Sequence, residues 1–294
     1  MTFILATGNQ HKVGEFKAIL ESVAQGGGHA VYAYSEFIAP FEVEENGKSF
    51  EENAAIKLGA IYGALSEAYR AARGASSEIC PDSKSQSLQN AAHGATHASQ
   101  TQNLKPNIAT IPMPVVVLAE DSGICVPLLG GEPGIYSARY AKYKGFAAST
   151  QAHNSDDVQN LRCLVEQIRA YKAAQEAREA GSRELGAYFI AYIAAVCSHD
   201  FAPLEGKNAR DSEKLAMGQI MGFEGRLEGF VIEEARGAHG FGYDPIFVPF
   251  EGNEMRENKQ DFQTLAEFSP SAKNTLSHRY RATLKCLASL GIMR

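Results

Sequence analysis

The chain has 294 residues, 45% of them hydrophobic, and is therefore long enough to bury a substantial core. Its formal net charge is -6 and it has no long cluster of lysine and arginine, which argues against nucleic acid or an anionic membrane surface as a partner. The five cysteines are scattered without a Cys-x-x-Cys spacing, which favours free thiols in a reducing cytoplasm. We expect neither a signal peptide nor a membrane span, because the first residues lack a basic leader and the longest apolar stretch is too short.

The first candidate site joins a strand to a helix. Residues 3–6 predict a short buried strand, and the apolar residues between Val13 and Leu20 follow a mostly helical spacing. Between them lies Thr7-Gly8-Asn9-Gln10-His11-Lys12. Such a turn places backbone amides and a helix N-terminus at one point, where an anion is favoured, and Lys12 would add a full positive charge. It is not a Walker loop, and taken alone such junctions are more often structural than ligand-binding.

A second helix is predicted after Ser49, because residues 49–52 match a capping box and an apolar face runs from Ala54 to Leu65. Lys57 in this helix could reach a phosphate, although an exposed helical lysine is usually only solvated. From about Ala68 to Pro114 the composition shifts to Ala, Ser, Gln, Asn and His. Few large apolar residues there could offset the entropy of ordering, so we expect an inserted, mobile surface segment.

Carboxylates follow the next predicted strand. Residues 115–119 are rich in valine and predict a buried strand that ends at Glu120-Asp121-Ser122-Gly123. Acidic side chains at the carboxyl end of a strand could hold Mg²⁺ or activate water, and a solvated turn is an equally good interpretation. Glu42, Glu44 and Glu45 could supply a further ligand, although three acids in a loop usually form a solvated face.

The remaining elements come from hydrophobic periodicity. It predicts a helix from Asp156 to Tyr171, a core strand from Tyr188 to Val196, a strand pair at 218–223 and 226–233 around Gly225, and a terminal helix from Ser271 to Leu290.

Two further segments contain residue types that suit ligand binding. Phe241-Gly242-Tyr243-Asp244 places an aromatic ring beside a glycine and a carboxylate, which suits stacking on a purine, although a turn with core aromatics is the commoner interpretation. His278 and Arg279, with Lys273 shortly before them, could pair with a phosphate or a base oxygen.

Taken together, these motifs closely resemble those of the inosine triphosphate pyrophosphatase family, which hydrolyses non-canonical purine nucleoside triphosphates. The matching segments follow the family's order and are residues 5–12, 49–57, 119–123, 130–140, 240–247 and 273–279. The sequence departs from the family at Glu120, where an aspartate is usual, and in the length of the segment between about 68 and 114.

The resemblance implies roles for individual residues. Asp121 would be the proton acceptor and a Mg²⁺ ligand, with Glu45 as a second carboxylate on the metal. The nucleotide site would be formed by Thr7, Gly8, Asn9, Gln10, His11, Lys12, Lys57, Ser122, Phe241, Gly242, Tyr243, Asp244, Lys273, His278 and Arg279.

The resemblance also implies the architecture and the reaction. We expect one α/β domain over residues 1–294, with a three-layer, elongated, twisted mixed sheet flanked by helices and two lobes with an active-site cleft between them. A cytoplasmic homodimer would convert dITP, ITP or XTP to the monophosphate and pyrophosphate. Two alternatives stay open at this point: a pyrophosphatase for other damaged nucleotides, and a catalytically silent nucleotide-binding module.

Overall fold

A computed structural model describes residues 1–23, 28–77, 107–146, 156–176, 185–202, 204, 220–254 and 261–293. The strands in this part of the chain are β1 (Thr2–Leu5), β2 (Ala30–Ala33), β3 (Val115–Cys125), β4 (Leu185–Ser198), β5 (Met221–Val231) and β6 (Phe247–Pro249). The helices are α1 (Gln10–Val23), α2 (Phe50–Ser77), α3 (Tyr140–Tyr143), α4 (Asp157–Glu176), α5 (Pro270–Leu276) and α6 (His278–Ser289).

The strands form one mixed sheet in the order β2-β1-β3-β4-β5-β6. β1 pairs in parallel with β2 and β3, whereas β3, β4, β5 and β6 pair antiparallel in turn. The predicted α/β class and the mixed sheet flanked by helices are therefore confirmed.

Helices cover both faces of the sheet, which explains why the first five residues of β3 are all apolar. Val115 and Val117 pack with Leu58 of α2 on one face. Val116 packs with Phe16 of α1 on the opposite face, in a cluster that also includes Leu287 of α6. Successive strand residues point to opposite faces, so every residue of this stretch is buried by one helix layer or the other.

A third core cluster lies around the far ends of the long strands. It brings together Ile124 of β3, Leu185 and Phe189 of β4, Leu164 of α4 and Phe247 of β6. β3 and β4 thus run through two packed regions, which correspond to the two expected lobes, and residues 120–123 lie between them.

Three predicted elements differ from the observed ones. β3 does not end before Glu120 but continues to Cys125, since it pairs with β4 along its whole length. The expected strand pair around Gly225 is one continuous strand, β5, beside β4. The terminal helix is broken at Ser277, whose backbone is extended and whose hydroxyl accepts a hydrogen bond from Tyr280 N at 3.0 Å, so that it caps α6.

The segment predicted as a mobile insertion is structured at both of its ends. α2 continues through the first ten residues of that segment to Ser77, with Tyr69 buried. Ile108 and Ile111 are also buried, in the cluster beneath α2. The prediction failed at these ends because amphipathic packing can outweigh a polar composition; residues 78–106 lie outside the described residues.

Four of the five cysteines lie in the described part of the chain. Cys125, Cys163, Cys197 and Cys286 are free thiols, and Cys80 lies outside the described residues. None of the described helices combines the length and the apolarity that a membrane crossing requires.

Gly225 allows α6 to lie directly on β5, and this contact gives a first prediction. A Cβ atom at this position would lie 2.1 Å from the carbonyl oxygen of His278 and 2.5 Å from Ala282 N. We expect Gly225→Ala to lower the free energy of unfolding by roughly 1–3 kcal/mol, because the backbone of α6 must move away. Urea unfolding followed by circular dichroism measures this loss.

Gly186→Ala in β4 is the matched control, because a Cβ there meets no atom within 4 Å. Its free energy of unfolding should change by less than about 0.5 kcal/mol. Equal stability of the two variants would contradict the close contact between α6 and β5.

Candidate active site

The site forms where β1 ends and β3 continues. The last pairing between them joins Leu5 to Leu118, and Ala6 N then donates to the Leu118 carbonyl at 2.7 Å. The chain next leaves the sheet as the Thr7–Asn9 turn and enters α1. Glu120 and Asp121 therefore lie just beyond the end of the neighbouring strand, within β3 and not after it.

Strand alternation sends these two acids to opposite faces of the sheet. Glu120 lies on the face covered by α1 and α6, where it contacts Arg279 and Lys12. Asp121 lies on the face covered by α2, where it contacts Asn53. The two neighbouring carboxylates consequently have different partners and different roles.

On the first face, Glu120 holds a buried arginine. Arg279 is only 2% exposed and donates to both carboxylate oxygens of Glu120, from Nε at 2.6 Å and from Nη2 at 2.8 Å. Its Nη1 also donates to Glu15 of α1. Burial alone would raise the pKa of Glu120, but the charges of Arg279 and Lys12 hold it well below its ordinary value, so Glu120 is ionised.

The same network extends to the segment that contains Phe241. Lys273 Nζ lies 2.9 Å from Glu15 Oε1 and 2.8 Å from Asp244 Oδ2, and 4.5 Å from the centre of the Phe241 ring. Phe241 N in turn donates to Asp244 Oδ2 at 2.8 Å. A chain of buried ion pairs thus connects the Phe241 segment to Glu120 in the sheet.

On the second face, Asp121 lies among groups of both charges. Asn53 Nδ2 donates to Asp121 Oδ2 at 3.0 Å. Lys57 pairs with Glu45 at 2.8 Å and donates to the Glu120 carbonyl at 3.0 Å. Burial raises the pKa of Asp121 and the negative charge of Glu45 adds to that effect, although Lys57, Lys12 and the Asn53 hydrogen bond oppose it.

A cavity of about 350 Å³ opens in front of Asp121. Eight of the predicted site residues line it, namely Thr7, Gly8, Asn9, Lys12, Glu45, Lys57, Asp121 and Ser122. Lys12 Nζ donates to Ser122 Oγ at 3.1 Å, which fixes the lysine at the cavity wall. Burial lowers the pKa of Lys12, while the carboxylate of Glu120 acts against that shift.

The turn at the start of α1 already uses two of its backbone amides. Asn9 N donates to Thr7 Oγ1 at 3.1 Å, and Lys12 N donates to Asn9 Oδ1 at 3.2 Å. Asn9 therefore caps α1, and these two amides are not free for an anion as the sequence suggested.

The other predicted residues lie outside this cavity lining. Phe241 and Gly242 line a separate groove of about 810 Å³ beside α4, where Gly242 N donates to Asp157 Oδ2 at 3.2 Å. Tyr243 is buried and donates through its hydroxyl to the Ser137 carbonyl at 2.8 Å. Gln10 is exposed at the start of α1, and the side chain of His11 lies outside the described residues.

His278 is buried at the first residue of α6. Its ring stacks on Phe189 with centroids 4.9 Å apart and an angle of 9°. Burial and the positive charge of Arg279 lower the pKa of the imidazole well below its ordinary value, so it is neutral. Within the described residues its Nδ1 is buried without a hydrogen-bond partner.

Three residues of the site were not among the predicted ones. Glu15 balances the buried Lys273 and Arg279, and its spacing of three residues from Lys12 was the available signal. Asn53 lies inside a matched motif. Arg139 lines the cavity, with Nη2 3.4 Å from the Glu45 carbonyl, and also lies inside a matched motif.

The donor set is compatible with Mg²⁺. Glu45 and Asp121 line the same cavity, and the described residues contain no group of three or more His, Cys, Asp and Glu side chains able to hold a metal ion. Mg²⁺ is commonly bound by one or two carboxylates, with substrate phosphates and water as its other ligands, so two carboxylates suffice.

The chain resembles known proteins along almost its whole length. The family model described as Ham1 family matches residues 3–72 and 64–289. A curated relative from Helicobacter hepaticus, named dITP/XTP pyrophosphatase, is 38% identical and the match covers 99% of this chain and 98% of the relative. A Campylobacter jejuni protein of the same name is 32% identical, with 96% of this chain and 93% of that protein covered.

Solved structures give the same result for the fold. A HAM1 protein from Coxiella burnetii matches with a TM-score of 0.55 at 25% sequence identity, covering 99% of this chain and 98% of that chain. The Staphylococcus aureus Ham1 protein matches with a TM-score of 0.56 at 24% identity over the same shares of the two chains.

The pairing of Glu120 with Arg279 predicts a large loss of stability when it is broken. Glu120→Gln removes one of the two carboxylates that neutralise a buried guanidinium. We expect the free energy of unfolding to fall by about 3 kcal/mol, because the remaining charge is left only partly compensated. Urea unfolding at neutral pH provides the measurement.

Glu251→Gln is the control, because Glu251 pairs with Arg281 where the two side chains are 49% and 35% exposed. Its effect should stay below about 1 kcal/mol. If Glu120→Gln were as mild as Glu251→Gln, the buried guanidinium of Arg279 would not depend on Glu120 for the compensation of its charge.

Proposed function

This chain belongs to the Ham1 family, and we propose that it hydrolyses the deaminated purine nucleoside triphosphates dITP, ITP and XTP to the monophosphate and pyrophosphate. The observation that carries this proposal is the cavity in which Asp121, Lys12 and Lys57 meet. The curated relatives named dITP/XTP pyrophosphatase support the choice of substrates.

Asp121 is the proposed proton acceptor. A water molecule attacks the α phosphorus, the bond from that phosphorus to the bridging oxygen of the β phosphate breaks, and pyrophosphate leaves. The proton of the attacking water passes to Asp121. A carboxylate whose pKa is raised by burial is a stronger base than an ordinary aspartate.

The phosphate chain is held by positive side chains of the cavity. Lys12 and Lys57 are the predicted contacts, and Arg139 lies on the same wall. The guanidinium of Arg139 has several N–H donors in one plane, which suits a phosphate group. Glu45 and Asp121 would hold Mg²⁺, which offsets the charge of the phosphate oxygens when it is bound.

We assign the binding of the purine ring to the segment around Phe241. The ring of Phe241 offers a stacking surface, and Lys273 and Asp244 fix its position. Arg279 already donates to two carboxylates. We therefore propose that His278, whose Nδ1 has no hydrogen-bond partner among the described residues, and nearby backbone amides donate to the 6-oxo group, with the imidazole proton on Nδ1. An amino group at that position would leave a buried donor unpaired, at a cost of roughly 1–3 kcal/mol.

A substrate panel read out by pyrophosphate release tests this function. We expect turnover of dITP, ITP and XTP with Mg²⁺, at least tenfold slower turnover of dUTP and the four normal triphosphates (about 1.4 kcal/mol of discrimination), and loss of activity with EDTA. Preferred cleavage of a modified pyrimidine would favour the alternative of another damaged nucleotide. Binding of dITP without turnover would favour a silent nucleotide-binding module.

Asp121→Asn is the matched inactive variant for the same assay. The substitution removes the charge and keeps the volume, so the fold should persist while turnover falls by more than about a thousandfold. Residual activity within tenfold of the parent would remove Asp121 from the reaction. Circular dichroism of the variant verifies that any loss is not due to unfolding.

We also propose that the protein is a cytoplasmic homodimer. Leu128, Tyr143 and Phe146, which flank the segment from Gly130 to Tyr140 in sequence, are about half exposed, and a second copy of the chain would cover them. Sedimentation velocity should give twice the mass of the chain, and Tyr143→Asp should shift the protein toward the monomer. A parent protein that sediments as a monomer at micromolar concentration would contradict the dimer.

A further inference from the structure

Asn53 is a buried polar side chain to which neither the predicted site nor the proposed reaction gives a role. It lies in the first turn of α2, next to the exposed Glu51 and Glu52, yet it is 0% exposed. A buried amide is costly unless both its donor and its acceptor have partners. The identity of those partners therefore indicates its role.

Each end of the amide is bonded to a different part of the site. Nδ2 donates to Asp121 Oδ2 at 3.0 Å, and Oδ1 accepts from Gly47 N at 2.9 Å. A backbone N–H can only donate and an ionised carboxylate can only accept, so these two partners fix which way the amide faces.

The loop side of this contact tolerates no side chain. A Cβ atom on Gly47 would lie 2.7 Å from Asn53 Oδ1 and 2.7 Å from Glu52 Cβ. Gly47 comes two residues after Glu45, so the bond to Asn53 also anchors the stretch of chain that carries this carboxylate.

The carboxylate side is fixed from two directions. Asp121 Oδ1 accepts from Ser122 N at 3.0 Å, while Oδ2 accepts from Asn53. Among the described residues each oxygen thus has one donor, and both remain able to accept a second hydrogen bond from a group in the cavity that Asp121 lines.

We propose that Asn53 is a positioning residue, which sets the plane of the Asp121 carboxylate and ties the Glu45 loop to it. The inference rests on the proposed function, because it takes Asp121 as the proton acceptor. Removal of the amide frees the carboxylate to rotate and releases Gly47, while the phosphate-binding lysines stay in place.

Steady-state kinetics of Asn53→Ala with dITP test this role. We expect kcat to fall about 10–100-fold, since small displacements of a reacting group have effects of this size. KM should stay within about threefold, because Asn53 acts on Asp121 and not on the phosphates. Gly47→Ala should also lower kcat, because the added Cβ atom forces the loop of residues 44–48 away from Asn53 while the Asn53 amide remains.

Asn253→Ala separates positioning from general destabilisation. Asn253 is also a buried asparagine with both ends bonded, to Pro249, and to the N–H and carbonyl of Gln263. Its loss should lower the free energy of unfolding and leave kcat per folded molecule unchanged. If Asn53→Ala behaved like Asn253→Ala in both measurements, the positioning role would be overturned.

A crystal structure of Asn53→Ala gives a readout that does not depend on turnover. We expect the Asp121 carboxylate to rotate and residues 44–48 to shift. An unmoved carboxylate would overturn the inference, whether or not the parent protein hydrolyses a triphosphate. The substrate panel tests the proposed function separately. Gly47→Ala takes the same structural test if Asn53→Ala does not fold.

Discussion

The alternation of side chains along β3 is the constraint on which the site depends. Because Glu120 and Asp121 are consecutive in a strand, they must lie on opposite faces of the sheet. One face offers a buried arginine and Glu120 becomes a structural anion; the other offers an asparagine and Asp121 faces a cavity. Two adjacent carboxylates thereby acquire opposite shifts in pKa.

The buried ion pairs hold segments that are distant in sequence. Arg279 and Lys273 approach from the end of the chain, Glu15 from its beginning and Glu120 from its middle. Such a network adds little net stability over an apolar core, but an arrangement that breaks it leaves a buried charge uncompensated and is therefore disfavoured. Lys12 contacts Glu120, and Phe241 contacts Lys273. The positions of both residues therefore depend on the network.

The sequence predicted β1, β4, the starts of α2 and α4, and eight of the residues that line the cavity, because these depend on local periodicity, capping and short motifs. It could not place the end of β3, since that end is set by pairing with β4 and not by residues 120–123. Gly225 suggested a turn, and only the packing of α6 shows that it is a point of contact. Glu15 was not predicted from the sequence, because its partners Lys273 and Arg279 lie 258 and 264 residues away along the chain.

The position of the cavity limits which parts of the site can move. β3 and β4 pass without interruption through both packed regions, so the sheet holds the regions together and Asp121 stays fixed within it. Residues 44–48, in contrast, belong to no helix or strand, and their bonds to Lys57, Asn53 and Arg139 are polar. Under the proposed function, anionic phosphates would compete for the same two cations, Lys57 and Arg139. Substrate binding would then act first on the loop that carries Glu45, while Asp121 stays in its position in the sheet.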